Sequence, residues 1–514
     1  MHTAAHAERL LAYARAKGLL QTTDLAFARN MLLCALGLDA LDEETTLDTS
    51  PLPETPGEIL EHLCDAAAAR NKIEDTAESR AIFADCLMNL LTPAPSFAQA
   101  EFARREQAQG TRAALDWFYD LCRANASIRV DQIARNVHFD APCAFGALEI
   151  TINLAKPEKD PRDIASQKDL PAIGYPRCML CIENEGYAGR IGYAPHATLR
   201  TLPLTLGGDP WRLQFSPYAY YEQHCIALNE LHTPMVIDRR TFALLLDFVN
   251  RFPDYFIGSN ADLPIVGGSI LGHEHFQGGL HHFPMDKAPA YAGFTHPDYP
   301  SVAGECVRWP LSCLRLMGAN RDALIDLANK VLTAWRAYDD PEMGVLHATD
   351  ATPHNTITPI ARRLPDGQYQ LQLVLRNNRA TAEHPLGIFH PHDDLHHIKR
   401  ENIGLIEVMG LMVLPGRLRD ELAGLAAFLT GERPLMPPAA DDTLSKHYDW
   451  ICELAARKGT ALTQSAAEQV LREALGARCV RVLSDCGVFP ATPAGDRAMA
   501  RFLALIGANA IHPA

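Results

Sequence analysis

The 514-residue chain has no apolar run approaching the roughly 20 residues needed to span a bilayer. Its first twenty residues also lack a signal-peptide core, because Glu8, Arg9, Arg15 and Lys17 interrupt them. A basic excess is missing too: the net charge of −15 argues against general nucleic-acid binding, which needs a positive footprint. It still allows a small anionic ligand, since a few local cations can line one cleft. The 13 cysteines are odd in number and scattered, without a disulfide-like framework, as in a reducing compartment. No tandem repeat is visible. These absences lead to the expectation of a soluble cytoplasmic protein. Apolar content of 47% and charged content of 21% lie far from the disordered and fibrous extremes. The length suggests roughly two to four domains.

Periodicity divides the chain. Residues 1–140 carry helical spacing, clearest in Ile59, Leu60, Leu63 and Ala66, with Thr55-Pro56 as a start signal. Ala81 to Leu91 and Arg112 to Ala124 follow the same pattern, and Pro93 and Pro95 break the run between them. The period then changes to two. Leu148, Ile150, Ile152 and Leu154 alternate with polar residues, as in a half-buried strand that the stretch Lys156 to Pro161 ends. Tyr369, Leu371, Leu373 and Leu375 alternate with Gln370, Gln372 and Arg376 after a turn at Pro365-Asp366-Gly367. An amphipathic helix over 321–338, capped by Asn320, lies between them. Strands dominate from about 145 to 395, which predicts an α+β class with a mostly antiparallel sheet. Pro437-Pro438 reads as a linker, and helical spacing returns at 443–458 and 466–475. The expected segments are a helical 1–140, a core in two parts at 141–300 and 301–435, and a helical 436–514.

The chemistry concentrates between Asn260 and Gly279. His273, His275 and Gln277 are spaced by two, so in an extended strand their side chains share a face. Imidazole is both a nucleophile and a metal ligand at neutral pH. The preceding Gly267-Gly268-Ser269 turn lets backbone N–H groups approach a phosphate. Together these features describe a phosphate-handling site; the alternative is a histidine-rich surface strand. Cys178 and Cys181 have the two-residue gap of a zinc knuckle, or are two buried thiols. His390, His392, His396 and His397 form a second cluster that could hold a metal, bind a substrate phosphate or cap a helix.

The string Gly-Gly-Ser-Ile-Leu-x-His-x-His-Phe-Gln-Gly-Gly at 267–279 resembles the active-site motif of bacterial galactose-1-phosphate uridylyltransferases, in their second, longer class. These are relatives of the histidine-triad superfamily. The resemblance extends over Cys178 to Arg190, Phe215 to Tyr218, His224-Cys225 and His232 to Met235. It resumes at Thr352 to Ile360, Glu383 to His392 and Leu395 to Gly410, so it runs from about 145 to 415. It implies a histidine-triad-like core with helical additions at both ends and a cytoplasmic enzyme of galactose metabolism, with dimers common among relatives.

The resemblance also implies residue roles. His275 is the nucleophile that takes a uridylyl group from UDP-glucose and passes it to galactose 1-phosphate. Gln277 bonds a non-bridging phosphate oxygen as charge builds. Related hydrolases carry a third histidine there, so glutamine favours transfer over loss to water. Asn260, Gly267, Gly268 and Ser269 are expected to contact the nucleotide. Arg190, Arg376, Arg379 and Lys399 are candidates to grip phosphate, and His354 and Asn355 to touch sugar or phosphate. Shorter-class relatives complete a zinc site with positions that match His232 and His273 here, beside Cys178 and Cys181; His224 competes for the third place. A second metal, at the His390 cluster, is the other possible cofactor. The chain departs from the family pattern at Glu274, usually aspartate in the longer class, and at Gly272 and Leu280, where serine and arginine are expected. Two other readings stand beside the transferase: a nucleotide hydrolase or phosphorylase of the same superfamily, and a non-catalytic sugar-nucleotide-binding protein. Neither nucleic acid nor a membrane is an expected partner.

Overall fold

The computed structural model describes residues 3–40, 50–155, 173–268, 270–437, 439 and 441–511. The stretch 156–161 that was expected to end a strand, and Ser269 and Pro438, lie outside the described residues. Two compact units emerge, each assembled from separate stretches of chain: residues 1–135, 155–233 and 277–279 in one, and 136–154, 234–276 and 280–514 in the other.

The first unit opens with helices Thr3–Ala16, Leu25–Leu36, Gly57–Ala69, Ala77–Asn89, Pro95–Gln109 and Thr111–Ala124. Their ends follow from local chemistry. Pro56 precedes the third helix, and the Thr76 side chain accepts from Ser79 N at the start of the fourth. Pro95 occupies the first turn of the fifth helix. It therefore starts a helix instead of only breaking one, since proline supplies a helical φ where no N–H is needed. The sixth helix buries Ala114, Leu115, Phe118, Leu121 and Cys122, all on one helical face. Phe118 meets Phe215 at 5.5 Å between ring centroids, and burying each such ring contributes about 2–3 kcal/mol. Phe215 ends the middle strand of an antiparallel set, Leu202–Leu206, Asp209–Phe215 and Cys225–Asn229. Gly207 and Gly208, at φ 61° and 87°, make the two-residue turn between the first two strands.

The second unit is built on an antiparallel sheet. Its strand order is Asn509–Ile511, Ala290–Thr295, Ala303–Val307, Cys313–Gly318, Tyr369–Asn377, Asn355–Arg363, Phe256–Gly258 and then the strand that begins at His275. Helices Arg239–Arg251 and Arg321–Arg336 pack on this sheet. Asp238 and Thr241 cap the first helix reciprocally, and the Asn320 side chain accepts from Ala323 N at the second, as its sequence predicts. A smaller sheet pairs Val137–Cys143 with Gly146–Asn153, and Leu411–Pro415 joins the latter in parallel.

Two expectations are revised. Every residue of Tyr369–Asn377 is buried, polar ones included, where alternation suggests one wet face. On the neighbouring strands, Arg315, opposite Gln372, donates to the carbonyls of Met285 and Ala288, and Arg362, opposite Gln370, reaches His281 O. The C-terminal stretch is also not wholly helical. After helices Tyr448–Lys458, Gln464–Asp485 and Pro493–Leu505 it ends in the strand Asn509–Ile511, which pairs with Ala290–Thr295. Among the described residues no helix is long and apolar enough to cross a membrane. The α+β class with a mostly antiparallel sheet agrees with the sequence expectation.

Candidate active site

His275 begins the strand His275–Gly279 and is almost fully buried. Its Nδ1 lies 2.7 Å from the carbonyl oxygen of His273. A carbonyl can only accept, so Nδ1 carries the proton and Nε2 keeps its lone pair. Burial pushes the pKa of His275 down to about 4, so the imidazole is neutral near pH 7. A buried neutral imidazole with a fixed tautomer is a ready nucleophile.

Gln277, two residues on, meets His224: Oε1 and Nε2 are 3.2 Å apart. His224 is fully buried and its pKa is also pushed down to about 4 by desolvation. Neutral His224 can donate Nε2–H to Oε1, which leaves the Gln277 amide N–H groups as the donors to any other partner. The Tyr221 ring lies 4.5 Å from the His224 ring and fixes its plane. His224 was a competing candidate for the metal set, and this pairing gives it a different partner. Sequence alone offered no sign of the contact, which spans 53 positions.

Cys178, Cys181, His232 and His273 each bring one ligand atom into a group whose members all lie within 4.8 Å of one another. The two sulfurs are 3.5 Å apart, and Cys181 Sγ is 3.1 Å from His232 Nδ1. The edges of a zinc tetrahedron with two sulfurs and two nitrogens run to about 3.3–3.8 Å, so the donor set fits a metal of that kind. Asn184 braces the cysteine turn from behind, donating Nδ2 to the carbonyls of Cys178 and Cys181 at 2.7 and 2.8 Å. It is the supporting residue that motif spacing missed. Among the described residues this is the sole group of three or more histidine, cysteine or acidic ligands. The histidines near 390 point to separate partners. His390 and His396 both contact Pro391 O, His392 contacts Ile388 O, and His397 Nδ1 lies 2.6 Å from His447 Nδ1.

The glycine loop is shaped by close approach. A Cβ on Gly267 would come within 2.3 Å of Ala261 O, and one on Gly268 within 2.6 Å of Asn260 Nδ2. Asn260 Oδ1 in turn accepts from Leu405 N at 2.9 Å. Glu274 pairs with Arg240 at 2.8 Å, so the carboxylate between the paired histidines serves the neighbouring helix.

The expected arginines are tied down at several places. Arg190 donates to Tyr175 O and Tyr187 Oη and lies 4.6 Å from the centre of the Tyr193 ring. Arg379 donates to Gly344 O. Arg376 is buried and donates to Ile403 O. Lys399 is held by Glu407 and Val413 O. His354 lies between Asn378 and Thr349, and Asn355 donates to Trp335 O and Tyr338 O.

Two family models match most of the chain: galactose-1-phosphate uridyl transferase, N-terminal domain, over residues 21–234, and its C-terminal domain over 248–450. A galactose-1-phosphate uridylyltransferase of Caldanaerobacter subterraneus is 45% identical over 512 residues, covering 98% of both chains. Another, of Halalkalibacterium halodurans, is 46% identical over 500 residues, covering 97% of this chain and 98% of its own. Among solved structures, the yeast Ap4A phosphorylase Apa2 covers 61% of this chain and 90% of its own at 11% identity. Its TM-score of 0.30 is too low to carry any inference.

Proposed function

Because the chain belongs to the galactose-1-phosphate uridylyltransferase family, we propose that it transfers a uridylyl group from UDP-glucose to galactose 1-phosphate through a covalent intermediate on His275. The observation that carries the catalytic assignment is the His275 Nδ1–His273 O bond, which leaves Nε2 as the free nucleophile. In the first half-reaction Nε2 attacks the α-phosphorus of UDP-glucose. The bond from that phosphorus to the bridging oxygen breaks, and glucose 1-phosphate departs with the electron pair. In the second, a phosphate oxygen of galactose 1-phosphate attacks the same phosphorus, the P–N bond breaks, and UDP-galactose leaves with His275 restored. The His273 carbonyl holds Nδ1–H throughout and stabilises positive charge on the ring. The Gln277 amide, oriented by His224, donates to a non-bridging oxygen as negative charge builds. Asn260, Gly267 and Gly268 receive the nucleotide, with backbone brought close at the two glycines by the missing side chains, and Ser269 follows as the further contact that the resemblance implies.

Cys178, Cys181, His232 and His273 would hold a zinc ion, whose charge and fixed geometry would order the chain leading into His275. The 13 cysteines, none of them in a disulfide, support a cytoplasmic setting. The family resemblance leads us to propose a homodimer as well, which the mass in solution will measure.

Intact mass after incubation with UDP-glucose alone tests the mechanism. A gain of one uridylyl group, lost in His275→Ala, is the expected result. UMP accumulating without an adduct would instead identify a hydrolase, and neither product would leave a binding role.

A further inference from the structure

Arg376 forms no salt bridge among the described residues, although it is only 1% exposed, and the Glu407 carboxylate acts on it at longer range. Its Nη2 donates to Ile403 O at 3.0 Å, its Nη1 reaches Thr358 Oγ1 at 3.5 Å, and its Nε is buried without a hydrogen-bond partner. A buried guanidinium without a salt-bridged partner is costly, so its remaining hydrogen bonds bear on the structure around it. What it fixes is the turn Ile403-Gly404-Leu405. Two residues after the carbonyl it holds, Leu405 N donates to Asn260 Oδ1. The Asn260 carboxamide lies between two glycines. A Cβ on Gly404 would stand 3.3 Å from Oδ1, and one on Gly268 would stand 2.6 Å from Nδ2. Arg376, the 403–405 turn, Asn260 and the glycine loop thus form one continuous chain of contacts.

We infer that Arg376 is a positioning residue, which sets the Asn260 carboxamide and through it the nucleotide-receiving loop without touching the substrate. The inference rests on the uridylyltransferase reading and deepens it. A direct phosphate ligand would need a guanidinium that faces an open cleft, and Arg376 faces Ile403 O and Thr358.

A double-mutant cycle on the first half-reaction tests this. The rate of uridylyl-His275 formation from UDP-glucose is measured in single turnover for wild type, Arg376→Met, Asn260→Ala and the pair. Arg376→Met is expected to raise the half-saturating UDP-glucose concentration about tenfold with the saturated rate little changed. In the Asn260→Ala background the same substitution should add less than about twofold, because its effect passes through Asn260. Effects that multiply would overturn the inference, whether Arg376 bound substrate or only supported the core. Should Arg376→Met not fold, Arg376→Lys and Gly404→Ala enter the same cycle. The added methyl of Gly404→Ala presses on Asn260 Oδ1 from the other side and should raise the same parameter. A Gly404→Ala enzyme with wild-type donor affinity would also overturn the inference. If wild type forms no adduct at all, the uridylyltransferase reading itself has failed, and that result is distinct from multiplying effects.

Discussion

The imidazole of His275 donates its Nδ1–H to the main-chain oxygen of His273, 2.7 Å away and two residues back along the same stretch of chain. The bond is local, joining two residues of one short stretch, and it leaves Nε2 as the nitrogen with the lone pair, the atom proposed to attack. Replacing His275 by alanine should abolish the uridylyl adduct and lower kcat/KM by about 10³-fold or more. The melting temperature should stay within a few degrees of wild type. Adduct at wild-type level in that variant would mean that another residue carries the group.

His224 and Gln277 provide a second test. Gln277→Ala should lower kcat about 10²-fold, in line with the loss of one donor to a developing oxyanion. His224→Phe keeps the ring volume but removes the Nε2–H that holds Oε1. It should reduce kcat about tenfold with KM for UDP-glucose nearly unchanged. If stopped-flow traces of His224→Phe matched wild type, the carboxamide would be oriented by something other than His224.

The cysteine and histidine ligands lead to a stoichiometry. Elemental analysis of protein purified without chelator should find about one zinc per chain, and Cys178→Ser should lose it. The same variant should melt about 5–10 °C lower, because the metal closes the turn at 178–181 onto His232. Equal melting of wild type with and without a strong chelator would argue against a structural metal.

Stability should fall on the acid side in two steps, set by a cluster remote from the candidate site. Glu421 is raised by burial, but hydrogen bonds from His447 and Lys446 and the charge of Arg417 outweigh that and hold it at about 2. Its ordinary value is 4.5, so its stabilisation is complete above that pH and is lost as the pH falls toward 2. His397 is held down to about 4 by burial and by the nearby His447, Arg478 and Arg417. It is a base whose folded state resists protonation, so its contribution is complete above 6.5 and is lost as the pH falls toward 4. Melting temperature should therefore be level from pH 8 to 7, decline below, and decline again under pH 4.5. Replacing His397 by asparagine should flatten the first decline. Glu421→Gln should flatten the second and lower the melting temperature at neutral pH, since it removes the charge that Arg417, Lys446 and His447 share. A flat profile between pH 7 and 4 would contradict the His397 assignment.

Period-two spacing set His273, His275 and Gln277 in one row of an extended strand; in the structure the strand begins at His275, and His273 lies in the bend before it, joined to His275 through its carbonyl. The helix caps at Thr76 and Asn320 were similarly within reach of short-range chemistry, and so was the start at Pro56. What the sequence hid depends on distant partners. His224 meets Gln277 across 53 positions, and Leu405 meets Asn260 across 145. The polar residues of Tyr369–Asn377 are buried among distant segments, with Tyr369 bonded to Asn250, Arg376 to Ile403 O and Asn377 to Leu346 O, and no window on the strand itself contains that information. Arg376 stood among the candidates to grip phosphate because of the segment it lies in; its carbonyl partner at Ile403, 27 residues away, is not legible there.

His273 divides its two halves between two tasks. Its imidazole belongs to the ligand group with Cys178, Cys181 and His232, while its carbonyl oxygen belongs to His275. Main chain persists through any substitution, so the proton assignment of His275, the proposed nucleophile, does not require an imidazole at 273. An engineer could therefore rebuild that corner with a hydrophobic plug in place of the sulfur and nitrogen donors and still inherit a correctly protonated nucleophile. Position 273 is thus where a metal-independent version of this enzyme would begin.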